Sequence, residues 1–358
     1  MRSNKKNAML LDDTKMYEMY DKNEASYGLE HLGIAAERAF LVASALHMRA
    51  AYKTVQQVVV VGMGASALAG HVAKSILAAG MKVPVLVLST DLLPAFVNGK
   101  TLVIAVSFSG NTKEVLSAVK EAASRRAKVC VITSGGKLAA AAKRAKVPVY
   151  VYDAGDFALS PNFAIAFSTF GLLGLLKAAQ LVRISQKEVK AAIAAMVDVA
   201  DTCALTVSSG SNPAKIVANA LHGRTLVVFG AEHLTGSARA FSVHVREVSG
   251  QLAGNEDVPD ALHTFLDALL APKGACSNLH ALTLRSSLYK KINRDQFEQL
   301  AVELEKHDVP VIDYETRGKT VLEEAAEVMQ FGLFVSYYLA MLNKIAPETA
   351  EVATRLKQ

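Results

Sequence analysis

Gln57-Val58-Val59-Val60-Val61-Gly62-Met63-Gly64-Ala65-Ser66 is the stretch that decides the fold. A short, wholly apolar, β-branched run ends in glycines and small residues. It reads as a strand buried on both faces that turns at once into a helix. The pattern returns at Leu102-Val103-Ile104-Ala105-Val106, followed by Ser107-Phe108-Ser109-Gly110-Asn111-Thr112. Both loops offer hydroxyls, backbone N–H groups and few bulky side chains. A compact dianion needs that chemistry: several short donors beside the positive end of a helix. Neither loop contains Lys or Arg, which excludes a nucleotide P-loop.

Working outward, strand-like runs fall at 57–61, 83–88, 101–106, 128–132 and 147–152, with helical stretches at 66–79, 112–125 and 136–145. This alternation predicts a doubly wound parallel α/β sheet, whose ligands bind off the carboxyl ends of the strands. Residues 10–53 read as an amphipathic helical lead-in that packs on a later domain. Residues 161–208 read as two long helices broken near Ile184-Ser185. The pattern then restarts, with strands at 224–229, 279–284 and 309–313 and helices at 235–252, 293–307 and 319–344. The expected domains are a lead-in at 1–53, an α/β unit at 54–208, a second at 209–345 and a tail at 346–358. The second unit has Gly230-Ala231-Glu232-His233 after its first strand but no copy of the Ser-x-Ser-Gly-x-Thr loop. One phosphate site per chain is therefore expected.

Composition narrows the function classes. The net charge is +6, yet Lys and Arg form no stripe interleaved with aromatics, so no nucleic-acid partner is expected. Cys130, Cys203 and Cys276 show no metal-ligand spacing and fit buried thiols in a reducing compartment. The basic start, Met1-Arg2-Ser3-Asn4-Lys5-Lys6, is followed by no apolar signal core. The longest apolar stretch, 163–176, is shorter than a membrane span of about 20 residues. A cytoplasmic protein without membrane partner, metal or cofactor is expected. Gly-x-Gly after a strand also occurs in dinucleotide sites, but the second strand lacks the acidic residue that would hold a ribose.

The loops at 62–66 and 107–112 resemble those of sugar isomerase (SIS) domains. They are most similar to the Gly-Met-Gly-Gly-Ser and Ser-Tyr-Ser-Gly-Asn-Thr loops of the bifunctional phosphoglucose/phosphomannose isomerases, which are tandem SIS proteins. The resemblance runs from about residue 50 to the C-terminus. It implies two SIS domains, a sugar phosphate as substrate, and Gly64, Ser66, Ser107, Ser109 and Thr112 as the phosphate-binding residues. Glu247 and His263 match the family's Glu and His in spacing, and Pro259-Asp260-Ala261-Leu262-His263 matches its Pro-Glu-Leu-Asn-His segment. By the resemblance Glu247 shuttles a proton through an enediol and His263 opens the sugar ring. The family's His reaches the site from a neighbouring subunit, which implies a homodimer. Pro347 and Lys357 repeat the family's C-terminal spacing, so Lys357 is a further candidate at the sugar.

Residue chemistry leaves alternatives. Glu247 beside Arg246 could be a surface pair, with Glu256 or Asp257 as the acidic group. The family's Asn-Glu-Asn is Arg246-Glu247-Val248 here, and its Pro-Arg is Pro161-Asn162. Losing that arginine removes a cation that steadies the enediolate, which costs several kcal/mol of transition-state stabilisation. Arg239 and Arg246 are the candidate replacements. The expected function is aldose–ketose isomerisation of glucose 6-phosphate and fructose 6-phosphate, with mannose 6-phosphate as a further candidate. The alternatives are a phosphosugar-binding sensor without catalysis and an SIS enzyme acting on an aminosugar phosphate.

Overall fold

A computed structural model describes residues 10–153, 155, 161–272 and 274–348. Two parallel sheets organise the chain. The first contains β1 (Gln57–Val61), β2 (Val85–Leu88), β3 (Thr101–Ser107), β4 (Lys128–Thr133) and β5 (Val149–Val151), in the order β2-β1-β3-β4-β5. The second contains β6 (Thr225–Ala231), β7 (Ala253–Val258), β8 (Leu279–Arg285) and β9 (Val311–Glu315), in the order β7-β6-β8-β9. All pairings are parallel. The central strand β3 is buried at every position, which is why its sequence is apolar without alternation.

The chain divides into two compact units. One comprises Leu32–Ile193; the other joins the residues up to His31 to those from Ala194 onward. The division thus splits the 10–53 segment, which forms three short helices and a 3-10 turn. Helix Leu32–Ser44 belongs with the first sheet and lies on helix Ile165–Ala178. A side chain at Gly174 would come within 2.8 Å of the Phe40 carbonyl, so the two backbones approach closely. Helices Thr14–Tyr20 and Ala25–Glu30 belong with the second sheet. Tyr337 Oη donates to Asp21 at 2.8 Å, and Gln330 Nε2 donates to the Leu29 carbonyl at 2.7 Å. Such polar ties carry no hydrophobic period, so the lead-in reads as one element from its sequence.

The chain crosses between the two compact units a second time inside helix Gln186–Cys203, between Ile193 and Ala194. A helix that serves both units has no linker composition to mark the boundary. Helix Pro213–Leu221 was also not expected; Asn212 caps it by accepting from Lys215 N at 2.9 Å. Lys215 is 1 % exposed, and its ammonium donates to the Leu205 and Val207 carbonyls at 2.9 and 2.8 Å and to Asp12 at 3.3 Å. Burial lowers its pKa.

Helix Val321–Asn343 is the spine of the second unit. Thr320 caps its start: Glu323 N donates to Thr320 Oγ1 at 3.2 Å, and the Glu323 carboxylate accepts from Lys319 N at 3.1 Å. It is the one helix among the described residues long and apolar enough to cross a membrane, and its apolar window is wholly buried in the fold. Helix Thr235–Ser249 packs on it, with the Phe241 ring against Gly332.

Candidate functional site

The carboxyl edge of the first sheet brings three loops to the starts of three helices. The loop after β1 turns at Gly64, whose φ of +53° favours glycine, and leads into helix Ala65–Leu77. Gly62 is equally restricted, because a side chain there would meet the Ser66 carbonyl at 2.8 Å. Ser66 sits in the first turn of that helix, half-buried.

The loop after β3 is organised by its own hydroxyls. Ser107 is buried; its Oγ lies 2.9 Å from Thr112 Oγ1 and accepts from Gly110 N at 3.2 Å. Ser109 is exposed and accepts from Asn111 N at 3.2 Å. Thr112 occupies the cap position of helix Lys113–Ser124, yet its hydroxyl faces Ser107 and does not cap the helix. Helix Ala65–Leu77 likewise has no side-chain cap, whereas the start of helix Gly136–Ala145 is engaged by Asn111, whose Oδ1 accepts from Lys137 N. Helix starts without side-chain acceptors present N–H groups and a positive dipole end to an anion.

A third loop, Thr133-Ser134-Gly135-Gly136, was missed in the sequence. Ser134 donates to the Phe108 carbonyl through both N (3.1 Å) and Oγ (2.7 Å). Lys137 N donates to Asn111 Oδ1 at 3.1 Å, and Leu138 N to the Gly110 carbonyl at 2.9 Å. Gly110 and Gly136 both have left-handed φ, and a side chain on either would strike the other loop's backbone. This loop therefore holds the Ser107–Thr112 loop in shape. Its signal was present as Ser-Gly-Gly directly after a buried strand.

The other candidates lie in the second unit. Glu247 is in the last turn of helix Thr235–Ser249, half-buried beside the exposed Arg246. His263 is exposed in the short helix Ala261–Thr264, beyond the carboxyl end of β7. Strand β7 begins just after Glu247 and ends just before His263, so the two stand at opposite ends of it. At about 3.3 Å per residue its six residues span about 20 Å.

Strand β7 itself, Ala-Gly-Asn-Glu-Asp-Val, was not expected. It is an edge strand paired only with β6 and carries polar residues that hide its strand character. Glu256 lies on it, and burial together with Asp257 and Asp260 raises its carboxyl above the usual range. Asn162 is buried in the turn Pro161–Phe163, a neutral amide at the position of the family's arginine. Arg239, like Arg246, is exposed. Cys130 and Cys203 are buried, and burial pushes both thiols up, Cys203 to about 11. No cluster of metal-ligating side chains occurs among the described residues. Lys357 lies outside the described residues.

Comparison with known proteins agrees with this architecture. The SIS domain family profile matches residues 52–156, and that of the bacterial phospho-glucose isomerase C-terminal SIS domain matches residues 210–358. The chain is 26 % identical over 329 residues to the bifunctional phosphoglucose/phosphomannose isomerase of Caldicellulosiruptor bescii, covering 90 % of this chain and 94 % of that one. The protein of the same name from Thermoplasma acidophilum is 24 % identical over 316 residues, 85 % of this chain and 90 % of that one. Among solved structures, hypothetical protein TT0462 from Thermus thermophilus superimposes with a TM-score of 0.76 at 17 % identity, over 99 % of this chain and 96 % of that one. With two SIS domains in one chain, this protein belongs to the tandem SIS-domain sugar isomerases and resembles the bifunctional phosphoglucose/phosphomannose isomerases.

Proposed function

We propose that this protein is a phosphosugar aldose–ketose isomerase that interconverts glucose 6-phosphate and fructose 6-phosphate, and mannose 6-phosphate as well, through an enediol. The observation that carries this reading is the Ser107–Thr112 loop, where hydroxyls organise the turn and leave the following helix without a side-chain cap. Ser66, Ser107, Ser109 and Thr112, with the backbone at Gly64, anchor the phosphate. Glu247 carries the proton between the two reacting carbons, and His263 of a second copy opens the ring. Lys357 holds sugar oxygens. The protein acts in the cytoplasm as a homodimer, in the glycolytic and gluconeogenic exchange of hexose phosphates.

Fructose 6-phosphate incubated with the protein in heavy water tests this directly. Enediol chemistry inserts deuterium at C1 or C2 even when net turnover is slow. The buried, neutral Asn162 motivates a second reading, a phosphosugar sensor without turnover, because an enediolate needs a cation nearby. Binding without deuterium entry selects the sensor.

A second prediction concerns the anchor. Gly110 has φ +64°, and a side chain there would lie 2.0 Å from the Gly135 carbonyl oxygen. Gly110→Ala forces the two loops apart and displaces the hydroxyls. KM for fructose 6-phosphate is expected to rise roughly tenfold or more, a loss of about 1.4 kcal/mol per decade. The effect on kcat should be smaller, because the proton-moving groups are untouched. An unchanged KM would remove the loop from the anchor.

A further inference from the structure

The two sheets can be compared position by position. Gln57 pairs with Thr101 in the first, and Thr225 with Leu279 in the second. Counting from these pairs, Gly62 corresponds to Gly230, Gly64 to Glu232 and Ser66 to Leu234. Ser107 corresponds to Arg285, Ser109 to Ser287 and Thr112 to Lys290. The match is close in detail. A side chain on Gly230 would meet the Leu234 carbonyl at 2.8 Å, as one on Gly62 would meet that of Ser66. The step from Ser107 to the helix start at Lys113 equals that from Arg285 to Lys291. Thr316 donates to the Arg285 carbonyl through both N and Oγ1 at 3.0 Å, as Ser134 does to that of Phe108, with the acceptor shifted by one residue. The same edge retains a cleft of about 290 Å³ lined by Arg285, Ser286, Ser287, Arg294 and Thr316.

The chemistry has nevertheless changed. Of the four hydroxyl positions only Ser287 keeps its hydroxyl. At the position of Gly64 stands Glu232, which holds a left-handed φ of +44° that a side chain rarely adopts. Its Oε1 accepts from Lys290 N at 2.7 Å and from Asn293 Nδ2 at 2.6 Å. A carboxylate therefore runs from the loop after β6 to the backbone at the start of helix Lys291–Lys306, whose cap position has no side-chain hydrogen bond of its own. In the first domain the corresponding span is the one assigned to phosphate.

We infer that Glu232 is a built-in anion, whose carboxylate occupies the phosphate position of the second SIS domain and closes that domain to sugar phosphates. Charge-assisted bonds from N–H groups to the carboxylate offset the backbone strain at Glu232. The inference rests on the reading of Ser66, Ser107, Ser109 and Thr112 as the phosphate anchor. It adds a second reason, beside the missing serine loop, to expect one phosphate site per chain.

Line broadening of inorganic phosphate in phosphorus NMR, with the full chain, tests it. Wild type broadens the line, and Ser107→Ala/Ser109→Ala leaves it sharp; a sharp line with wild type would overturn the anchor reading itself. Adding Glu232→Gly to the double variant is expected to restore broadening. That substitution supplies the residue favoured by the backbone, and on its own it should leave isomerase turnover unchanged. Should the glycine variant not fold, Glu232→Ala carries the same test. Hydrogen exchange gives an independent readout: the Lys290 amide, protected in wild type, should exchange faster in the variant and slow again with phosphate. A folded triple variant that leaves the line sharp, with Lys290 exchange unaffected by phosphate, overturns the inference.

Discussion

Glu247→Gln is expected to lower kcat for fructose 6-phosphate by a factor of about 10²–10⁴, the range typical of a lost general base. Binding of the sugar phosphate should be nearly intact, because the proposed anchor lies in the loops at 62–66 and 107–112. Glutamine keeps the size of the side chain and can hydrogen-bond, but it cannot accept a proton from carbon. The half-buried position in the last turn of helix Thr235–Ser249 tolerates the change, so a folding defect is not expected. Single-turnover kinetics with deuterium exchange separate the two steps: exchange should fall with kcat. If both survive in Glu247→Gln, the proton passes to another group. Glu256 is then the group to test, since its raised pKa lets it hold a proton closer to neutrality.

His244→Leu is expected to change how stability responds to acid. His244 is fully buried on the same helix, and its Nε2 finds no hydrogen-bond partner among the described residues. Burial pushes its pKa down to about 3, from an ordinary value of 6.5. Below 6.5 the unfolded chain takes up a proton that the folded chain refuses. The associated stability is therefore complete above 6.5 and is lost progressively as pH falls toward 3. The slope approaches 1.4 kcal/mol per pH unit, or about 3 kcal/mol by pH 4. Leucine removes both the titration and an unsatisfied polar atom, which alone makes the exchange neutral or favourable at pH 7. Urea unfolding of both proteins at pH 7 and pH 4.5 checks this, with the gain from leucine expected to be larger at the lower pH. Equal differences at the two values would mean that His244 is not held neutral by the fold.

Particular elements show what was legible in the sequence. The strands β1, β3, β4, β6 and β8 announced themselves because both faces are covered, which demands unbroken apolar runs. Strand β7 did not, since an edge strand can carry Asn255, Glu256 and Asp257 without cost. Within the candidate site, the two glycine–serine loops stood out because close backbone approach restricts the residues allowed. Ser134 and Gly136 act on a neighbouring loop through a contact distant in sequence, so their role emerges only when β3 and β4 lie side by side.

By itself the sequence determined that two parallel α/β units follow one another and that the first carries a hydroxyl-rich loop set at its ligand edge. Those conclusions rest on local rules: burial sets the apolar runs, and tight turns set the glycines. Only the tertiary structure decided where the lead-in divides, because Asp12, Asp21 and Leu29 are held by partners far along the chain. It also put Glu247 and His263 at opposite ends of β7, although only sixteen positions separate them, because an extended strand turns short sequence separation into distance. And it set the Glu232 carboxylate on the backbone of Lys290, where the first domain's counterpart, Gly64, has no side chain to offer.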